Sequence, residues 1–295
     1  MTADFSAWNG KQTALEVVQA YTESGIIPDT SFMRTIGREP QSIFPAIAAA
    51  EAVNQNETGS DLADSSNTET AITLSPDAVL KRWQYIPMSA ISLNQNVSFL
   101  NAYNRRVGAD LREAHDKRIA AFATITAINS GTVVIFDDQA TGSAVTAALK
   151  DGVKSLDENN VPQTNRTCLF APGQLTKTYD QTVVRDGTWM PGADSRKNLV
   201  RLPFLGCDVI SANLIFNTNT ASNTNYANKY RYNFAGATPY YGVMWQAEGL
   251  AVQYFEEPNV KTSLVEEKEC YLVLARMIMG TAATRGKNFV TFRGN

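Results

Sequence analysis

The chain of 295 residues is long enough for one large domain or two modest ones, and 44% of its residues are hydrophobic. This composition excludes wholesale disorder, and a net charge of −3 argues against a dedicated nucleic-acid-binding protein, which normally carries a basic surplus. The N-terminus has no basic start followed by an apolar run, so no signal peptide is predicted, and no apolar stretch is long enough to span a membrane.

Residues 1–40 predict an N-terminal arm. Apolar residues on one side indicate a short helix over residues 13–24, which ends at Gly25 and is followed by the helix breaker Pro28. Too few apolar residues follow to build a core locally. We therefore expect the arm to be completed by the surface of another copy.

Residues 41–80 predict a long β-hairpin. Two extended arms, residues 42–53 and 69–80, flank a polar stretch rich in turn-forming residues. A two-stranded hairpin of this kind is only marginally stable alone in water, so we expect a neighbouring copy to hold it. The hairpin contains no lysine, arginine or histidine, and its carboxylates are Glu51, Glu57, Asp61, Asp64, Glu69 and Asp77.

Residues 94–128 carry the strongest periodic signal and predict a long helix, the spine helix. Its length of about 30 residues corresponds to about 45–50 Å. Gly108 in its middle costs about 1 kcal/mol relative to alanine, so packing must sustain the helix there. The apolar residues at helical spacing are Val97, Leu100, Tyr103, Val107, Leu111, Ala114, Ile119, Phe122 and Ile125.

The remainder alternates between helix and strand before a β-rich end, which favours the α+β class. A second helix is predicted over residues 143–159, a turn at Pro172, and an Asn/Thr/Tyr-rich loop over 213–233. The predicted strands cover residues 132–136, 167–170, 208–214, 250–257, 270–279 and 288–293.

The residues that could carry catalysis are few. The only histidine, His115, lies in the spine helix and is expected on its surface, and the chain has no CxxC pair, so no metal or cofactor site is predicted. The cysteines Cys168, Cys207 and Cys270 are expected to be reduced and buried. The adjacent carboxylates at 137–138, 256–257 and 266–267 do not converge on one substrate and are expected in solvated turns. We therefore predict no catalytic residue and no enzyme.

The order of these elements resembles the major capsid protein of tailed bacteriophages, a fold shared with the floor of herpesvirus capsids. The size is closest to that of short-tailed phages. Residues 41–53 and 70–80 resemble the family's extended loop, and 97–125 resemble its spine helix. Segments similar to the family's axial domain and long strands are 165–179, 202–214, 248–258, 268–279 and 287–292.

The resemblance implies a domain plan with an N-terminal arm at 1–40 and an extended loop, a β-hairpin, at 41–88. A peripheral domain would comprise 89–135 and 245–283, and an axial α/β domain 136–244 and 284–295. One branch of the family cross-links its shell through a lysine in the loop. No lysine occurs here between Lys11 and Lys81, so we expect no such cross-link.

The function that the resemblance implies is structural. Hundreds of copies would form the hexamers and pentamers of an icosahedral shell, assembled in the host cytoplasm, that encloses packaged double-stranded DNA without tight specific binding. About 40 residues precede the hairpin, so a separate scaffolding protein is expected unless an N-terminal piece was removed. A portal at one vertex is a further expected partner, and decoration proteins stay open. The alternatives are an α/β hydrolase-type enzyme and a tail or fibre component.

The charge pattern predicts one contact between copies. The acidic hairpin should rest on basic residues of a neighbour's spine helix, where exposed pairs worth about 0–1 kcal/mol each would set register more than strength. The predicted contact joins Glu57, Asp61, Asp64 and Glu69 of one copy to Arg105, Arg106, Arg112 and Lys117 of the next.

Overall fold

A computed structural model of the chain describes residues 3–37, 42–45, 71–87, 97–139, 142–180, 201–215, 228–231 and 239–295. The helices in these ranges are α1 (Ala3–Glu23), α2 (Val97–Ser130), α3 (Gly142–Glu158) and the short α4 (Pro172–Leu175). Strands β1 to β6 are Met33–Ile36, Ser42–Pro45, Ala71–Leu74, Ala78–Pro87, Thr132–Phe136 and Arg166–Phe170. Strands β7 to β12 are Arg201–Phe204, Cys207–Ser211, Tyr240–Gln246, Leu250–Val265, Cys270–Ala283 and Phe289–Gly294. No helix in these ranges has a stretch long and apolar enough to cross a membrane.

The described strands form two main sheets and one small one. The four-stranded sheet has the order β1-β10-β11-β4, and the six-stranded sheet has the order β5-β12-β9-β6-β8-β7. Strands β2 and β3 form an antiparallel pair of their own. The six-stranded sheet mixes parallel and antiparallel pairs, and helices pack on both main sheets, so the predicted α+β class is confirmed.

Helix α2 joins the two main sheets. It contacts β4 and β11 of the four-stranded sheet and β9 and β12 of the six-stranded sheet. The core that it shares with them includes Leu111, Ile119, Met277, Trp245 and Phe289, all essentially without solvent exposure. Its C-terminal half is buried on several sides, and the small residues there let the surrounding strands approach closely. These residues are Ala120, Ala121, Ala123 and Ala127.

Helix α3 covers another part of the six-stranded sheet. Its buried face includes Val145, Leu149 and Val153, which belong to a second core with Phe170 and Phe292. Apolar residues at spacings of four therefore point one helix face at the sheet, as the sequence pattern predicted.

The helices predicted over 94–128 and 143–159 and several strands lie close to the observed ones, whereas the short helix predicted over 13–24 begins ten residues earlier, as α1. The spine helix is predicted over 94–128 and observed as α2, residues 97–130, and the predicted strand 132–136 coincides with β5. Strands β1, β7 and β9 were not predicted, and the turn predicted at Pro172 is the short helix α4. The predicted boundary between residues 135 and 136 falls inside β5, which pairs along its whole length with β12.

The prediction extends the hairpin too far at its C-terminal end. Its two arms pair only as Ser42–Pro45 with Ala71–Leu74, and residues 46–70 lie outside the described ranges. Residues 78–87 form β4, which pairs over its entire length with β11. These ten residues therefore belong to the four-stranded sheet and not to an extended loop reaching residue 88.

Candidate assembly surfaces

The N-terminal arm is held by its own chain. Helix α1 crosses α2 at Gly108, where an added Cβ atom would lie 2.3 Å from the carbonyl oxygen of Val17. Val17, Ala20 and Tyr21 are buried in this crossing. The expectation that the arm needs the surface of another copy is therefore wrong for residues 13–37, because the glycine lets the two helices pack directly.

A buried polar network fixes the turn that follows α1. The Oδ2 atom of Asp116 accepts hydrogen bonds from the backbone N–H groups of Ile26 (2.9 Å) and Ile27 (3.3 Å). Its Oδ1 atom accepts from Nε of Arg112 at 3.0 Å, and the Arg112 guanidinium also donates to the carbonyl oxygen of Ile27 at 2.6 Å. Because each charge has its partner, the ion pair can lie inside the protein without an uncompensated charge.

His115 belongs to the same network and lies in the interior, so its predicted place on the helix surface is wrong. Its Nδ1 atom lies 2.9 Å from Asp116 Oδ1 and its Nε2 atom 2.8 Å from the hydroxyl of Tyr254. The neutral ring satisfies both contacts by donating from Nδ1 and accepting at Nε2. Burial lowers the pKa of His115 below its ordinary value of 6.5, although the Asp116 carboxylate opposes this shift.

The segment after this turn also contacts the six-stranded sheet. The hydroxyl of Thr167 donates to that of Ser31 at 2.7 Å, and Nε1 of Trp245 donates to the Ser31 carbonyl oxygen at 2.7 Å. The arm thus binds both main sheets of its own chain.

A groove of about 540 Å³ lies between β4 and α2 and forms the first candidate surface. On the helix side its lining follows one face, with Arg106, Asp110, Glu113 and Lys117 at spacings of three and four residues. The strand side is formed by residues 79–82. We call it the basic groove, and its charged residues are Lys81, Arg82, Arg106, Lys117 and Arg118 against Asp110 and Glu113.

Two ion pairs lie within the basic groove. Arg82 Nε is 2.9 Å from Asp110 Oδ2, and Lys117 Nζ is 2.5 Å from Glu113 Oε1. Lys81 and Arg106 are exposed and make no ion pair with any side chain that the structure describes. The groove therefore has a surplus of positive charge that faces solvent.

The basic residues that were predicted to form one contact have different surroundings in the structure. Arg106 and Lys117 line the basic groove, whereas the exposed Arg105 does not. The predicted contact of Arg112 is wrong, because this residue is buried and paired with Asp116 and Asp29 and cannot reach a neighbouring copy. The acidic partners Glu57, Asp61, Asp64 and Glu69 lie outside the described residues.

Sequence reasoning missed the strand side of the groove. Lys81 and Arg82 were placed in the extended loop at 41–88, after its second predicted arm at 69–80. The signal in the sequence is weak, because β4 has large apolar residues on both of its faces: Leu80 and Ile86 are buried, while Val79 and Trp83 are exposed. Such a strand does not show the clear alternation of a half-buried one.

The second candidate surface is the outer face of β4 and β11. Val79, Trp83 and Tyr85 alternate along β4 with 50%, 57% and 45% of their surface exposed. Their cross-strand partners on β11 are Ile278, Leu274 and Leu272, which are only partly buried. These six residues form an apolar stripe at the edge of the four-stranded sheet, which the cross-strand pair Lys81 and Arg276 interrupts after Val79 and Ile278. Large exposed apolar patches mark interaction sites.

The residues with catalytic potential are used structurally. Burial raises the pKa of the thiols of Cys168 and Cys207, and Cys270 is also buried without a disulfide. Within the described ranges no group of three or more potential ligands could hold a metal ion.

The adjacent carboxylates differ from one another. Glu266 and Glu267 are exposed in the turn between β10 and β11, as predicted. Asp138 is instead buried and accepts a hydrogen bond from the hydroxyl of Tyr241 at 2.6 Å. Glu256 and Glu257 lie on β10, where they pair with Arg276 and Arg34, so the solvated-turn prediction is wrong for these two pairs.

The structure is similar to several solved shells. The capsid structure of cyanophage P-SCSP1u matches with a TM-score of 0.72 and 17% identity, covering 90% of this chain and 87% of that chain. The mature capsid of bacteriophage PhiM1 matches with a TM-score of 0.66 and 8% identity over 90% and 86% of the two chains. The virus-like particle from Pyrococcus furiosus matches with a TM-score of 0.62 and 9% identity over 96% and 99%. No protein-family model matches the sequence, and neither does any curated protein.

Proposed function

We propose that this chain, which has the fold of tailed-phage major capsid proteins, is a shell subunit that acts by assembling with copies of itself. The copies would form hexamers and pentamers of an icosahedral capsid that encloses packaged double-stranded DNA. Assembly in the host cytoplasm would use a separate scaffolding protein and a portal at one vertex. The finished shell would be part of the virion.

The observation that carries this proposal is the extent of the structural likeness. It covers nine tenths of the chain. The similar structures are described as capsids of different phages, as the capsid of a native GTA particle and as a virus-like particle. One fold can host unrelated functions, so surfaces of this chain must also support the assignment.

The apolar stripe supplies that support. Trp83 and Tyr85 are large aromatic residues, which are enriched where proteins bind one another, and they lie on an edge strand of the sheet. An unpaired edge beside an exposed apolar face promotes association unless another chain covers it. In a shell, neighbouring subunits can cover this strand edge and the apolar face beside it.

The negative net charge is compatible with a container for DNA. An inner wall that neutralised many phosphates would bind the genome tightly and oppose its packing and release. A chain with a net charge of −3 lacks the general surplus of cations that such binding requires.

The test is the assembly state of the purified chain. Light scattering coupled to size-exclusion chromatography, followed by electron microscopy, should show pentamers, hexamers or closed shells whose amount increases with protein concentration. A 32.3 kDa monomer at every concentration and salt level would overturn the proposal. Trp83→Ser should reduce assembly and leave the melting temperature of the unassembled chain within about 1–2 °C of the wild type, since exposed substitutions change stability by about 0.5 kcal/mol or less.

The DNA part of the proposal has its own readout. Particles recovered from the native source should contain nuclease-protected double-stranded DNA. Intact shells that contain none would retain the container and overturn the proposed cargo.

A further inference from the structure

We propose that His115 is part of an acid-sensitive latch of the N-terminal arm, and that uptake of one proton by its ring releases α1 and the turn at residues 24–28 from α2. The two main sheets stay folded during this release. All the groups involved belong to one chain, so the latch does not depend on the proposed function. It consists of Arg112, His115 and Asp116, which helical spacing places on one face of α2.

His115 lies between elements that differ in how firmly they are held. Helix α2, which carries it, contacts both main sheets, and Tyr254, whose ring stacks on the imidazole at 5.7 Å, belongs to the inner strand β10. The arm closes another side of the ring, where Tyr21 of α1 lies edge-on with its centroid 6.1 Å away. Since α1 is a helix packed on α2 and β10, it can move aside without breaking a strand pairing, and water then reaches the ring.

The closed site fits the neutral ring. Its Nδ1 atom donates to Asp116 and its Nε2 atom accepts from the Tyr254 hydroxyl. A second ring proton places an N–H group against that hydroxyl, which must then turn its own hydrogen away. His115 has no exposed surface, so water cannot hydrate the added charge while the arm is closed.

The charges around the ring are already balanced, so an additional positive charge is left uncompensated. Asp116 Oδ1 accepts from Arg112 Nε at 3.0 Å, and the half-exposed Asp29 is shared between Arg112 and Arg34. Burial lowers the pKa of His115; the Asp116 carboxylate opposes this shift and the Arg112 charge adds to it. The charged and titratable groups that face the ring are Arg112 and Asp116 of α2, Tyr21 of α1, Asp29 after the turn, Arg34 of β1 and Tyr254 of β10.

The groups that a proton disturbs also hold the turn. Asp116 Oδ2 accepts from the backbone N–H groups of Ile26 and Ile27. The Arg112 guanidinium packs so closely on Gly25 that an added Cβ atom there would lie 2.8 Å from its central carbon. An imidazolium ring competes with Arg112 for the same Oδ1 atom of Asp116. Proton uptake therefore weakens the anchor of the turn directly.

The direction of the pH dependence follows from the two forms of the arm. In the released form water hydrates the ring of His115, whose pKa returns to its ordinary value of 6.5, whereas the closed form excludes the proton because burial lowers that pKa. Closure is therefore fully favoured above about pH 6.5, and the released fraction increases as the pH falls below it. Between about pH 7.5 and 5.5 the ratio of released to closed chains should rise about tenfold.

The first experiment measures release by proteolysis. The untagged chain, kept unassembled by dilution, is digested with a glutamate-specific protease across this pH range, and each rate is divided by that of an unstructured peptide at the same pH. Glu16 in α1 accepts a hydrogen bond from Asn104 of α2 at 3.2 Å, so cleavage after it requires α1 to leave. We expect this normalised rate to rise about tenfold, because it follows the released fraction. A rate that stays constant would overturn the proposal.

The same digest contains an internal control. Glu256 lies within β10 and pairs with Ile278 of β11, so cleavage after it requires the four-stranded sheet to open. The rate at this site should not change with pH. An equal increase after Glu16 and Glu256 would mean that acid unfolds the chain as a whole, and the latch would be refuted.

The variant His115→Gln identifies the titrating group. Glutamine is polar but takes up no proton, so cleavage after Glu16 should lose its tenfold pH dependence, whatever its absolute rate. The pH range lies above the ordinary pKa of carboxylic acids, about 4. A dependence that persists in the variant would nevertheless assign the effect to carboxylates and contradict the role of His115.

A second measurement on the wild type does not depend on how the variant folds. Because His115 is the only histidine of the chain, its ring gives a single proton NMR signal in the untagged protein. We expect the protonated form to appear with the same midpoint as cleavage after Glu16. Protonation in chains whose Glu16 site stays protected would overturn the latch, and so would release while the ring remains neutral.

Discussion

The crossing of α1 and α2 at Gly108 makes a sharp prediction, because two opposite effects compete there. Alanine is favoured over glycine inside a helix by about 1 kcal/mol, so Gly108→Ala would stabilise an isolated α2. The added Cβ atom, however, would lie 2.3 Å from the Val17 carbonyl oxygen and 3.0 Å from the backbone nitrogen of Tyr21. Ordinary contacts are about 1 Å longer, so α1 must move away from α2.

The size of the effect follows from the packing that is lost. Overpacking of a well-filled interior costs about 1–3 kcal/mol, and here the obstructing atoms are backbone atoms that cannot rotate away. A cost near the upper end, less about 1 kcal/mol of helix propensity, leaves a net destabilisation of about 2 kcal/mol. For a chain of this size the melting temperature should fall by about 4–8 °C.

Calorimetry of the unassembled chain measures this change, and limited proteolysis within residues 13–24 reports whether α1 has detached. The matched control is Gly173→Ala in α4, where an added Cβ atom meets nothing within 4 Å. That variant should melt within about 2 °C of the wild type. If Gly108→Ala is as stable as the wild type or more so, α1 does not cross α2 at this glycine, and the arm is not held by its own chain in the way described.

Three further predictions concern the buried network and the exposed ion pair beside it. Below about pH 6.5 the unfolded state binds a proton at its histidine that the folded state excludes, since burial lowers the folded pKa of His115, so the free energy of unfolding should fall as the pH falls. His115→Gln should flatten this part of the pH profile in urea titrations. Asp116→Ala removes the buried partner of the Arg112 charge, which then keeps only the half-exposed Asp29, and should cost about 3–5 kcal/mol in the same titrations. Asp110→Ala, which breaks the exposed pair with Arg82, should cost about 1 kcal/mol or less.

The sequence predicted those features that depend on local patterns. The bounds of α2 and α3 and the whole of β5 agree with their predictions to within three residues, because apolar periodicity reports which face of an element is covered. The extended loop resembling the family was predicted too long, since β4 is recruited by β11, about 190 residues later in the chain. No pattern of neighbouring residues can predict a pairing between segments so far apart in the sequence.

The burial of Arg112, His115 and Asp116 was missed for the same reason. On an isolated helix these three polar residues belong on the solvent side, and the sequence placed them there. In the folded chain the turn at Ile26 and Ile27 covers that side, and its backbone N–H groups need an acceptor. Asp116 supplies it across about 90 residues of sequence separation. A polar residue on a predicted surface can therefore be the partner of a distant backbone segment.

The candidate surface was predicted only in part because charge alone does not reveal orientation. Arg105, Arg106 and Arg112 are equivalent in a count of basic residues, yet one is outside the groove, one lines it and one is buried. Successive residues on a helix point about 100° apart, so the neighbouring strand β4 decides which of them forms a wall. Lys81 on that strand could be assigned only once its pairing was known.

The four-stranded sheet, and not the described part of the arm, has the surface that favours self-association. Within residues 13–37 the arm is held by its own chain, because Gly108 accommodates its helix and Asp116 satisfies the backbone of its turn. The outer face of β4 has no such compensation among the described residues: Trp83 and Tyr85 remain exposed, and Lys81 makes no ion pair there. The apolar residues and the charge of Lys81 share this face, because residues 79, 81, 83 and 85 point to the same side of the strand, and both are relieved when another copy covers them. We therefore expect the contacts between copies to form at the edge of this sheet.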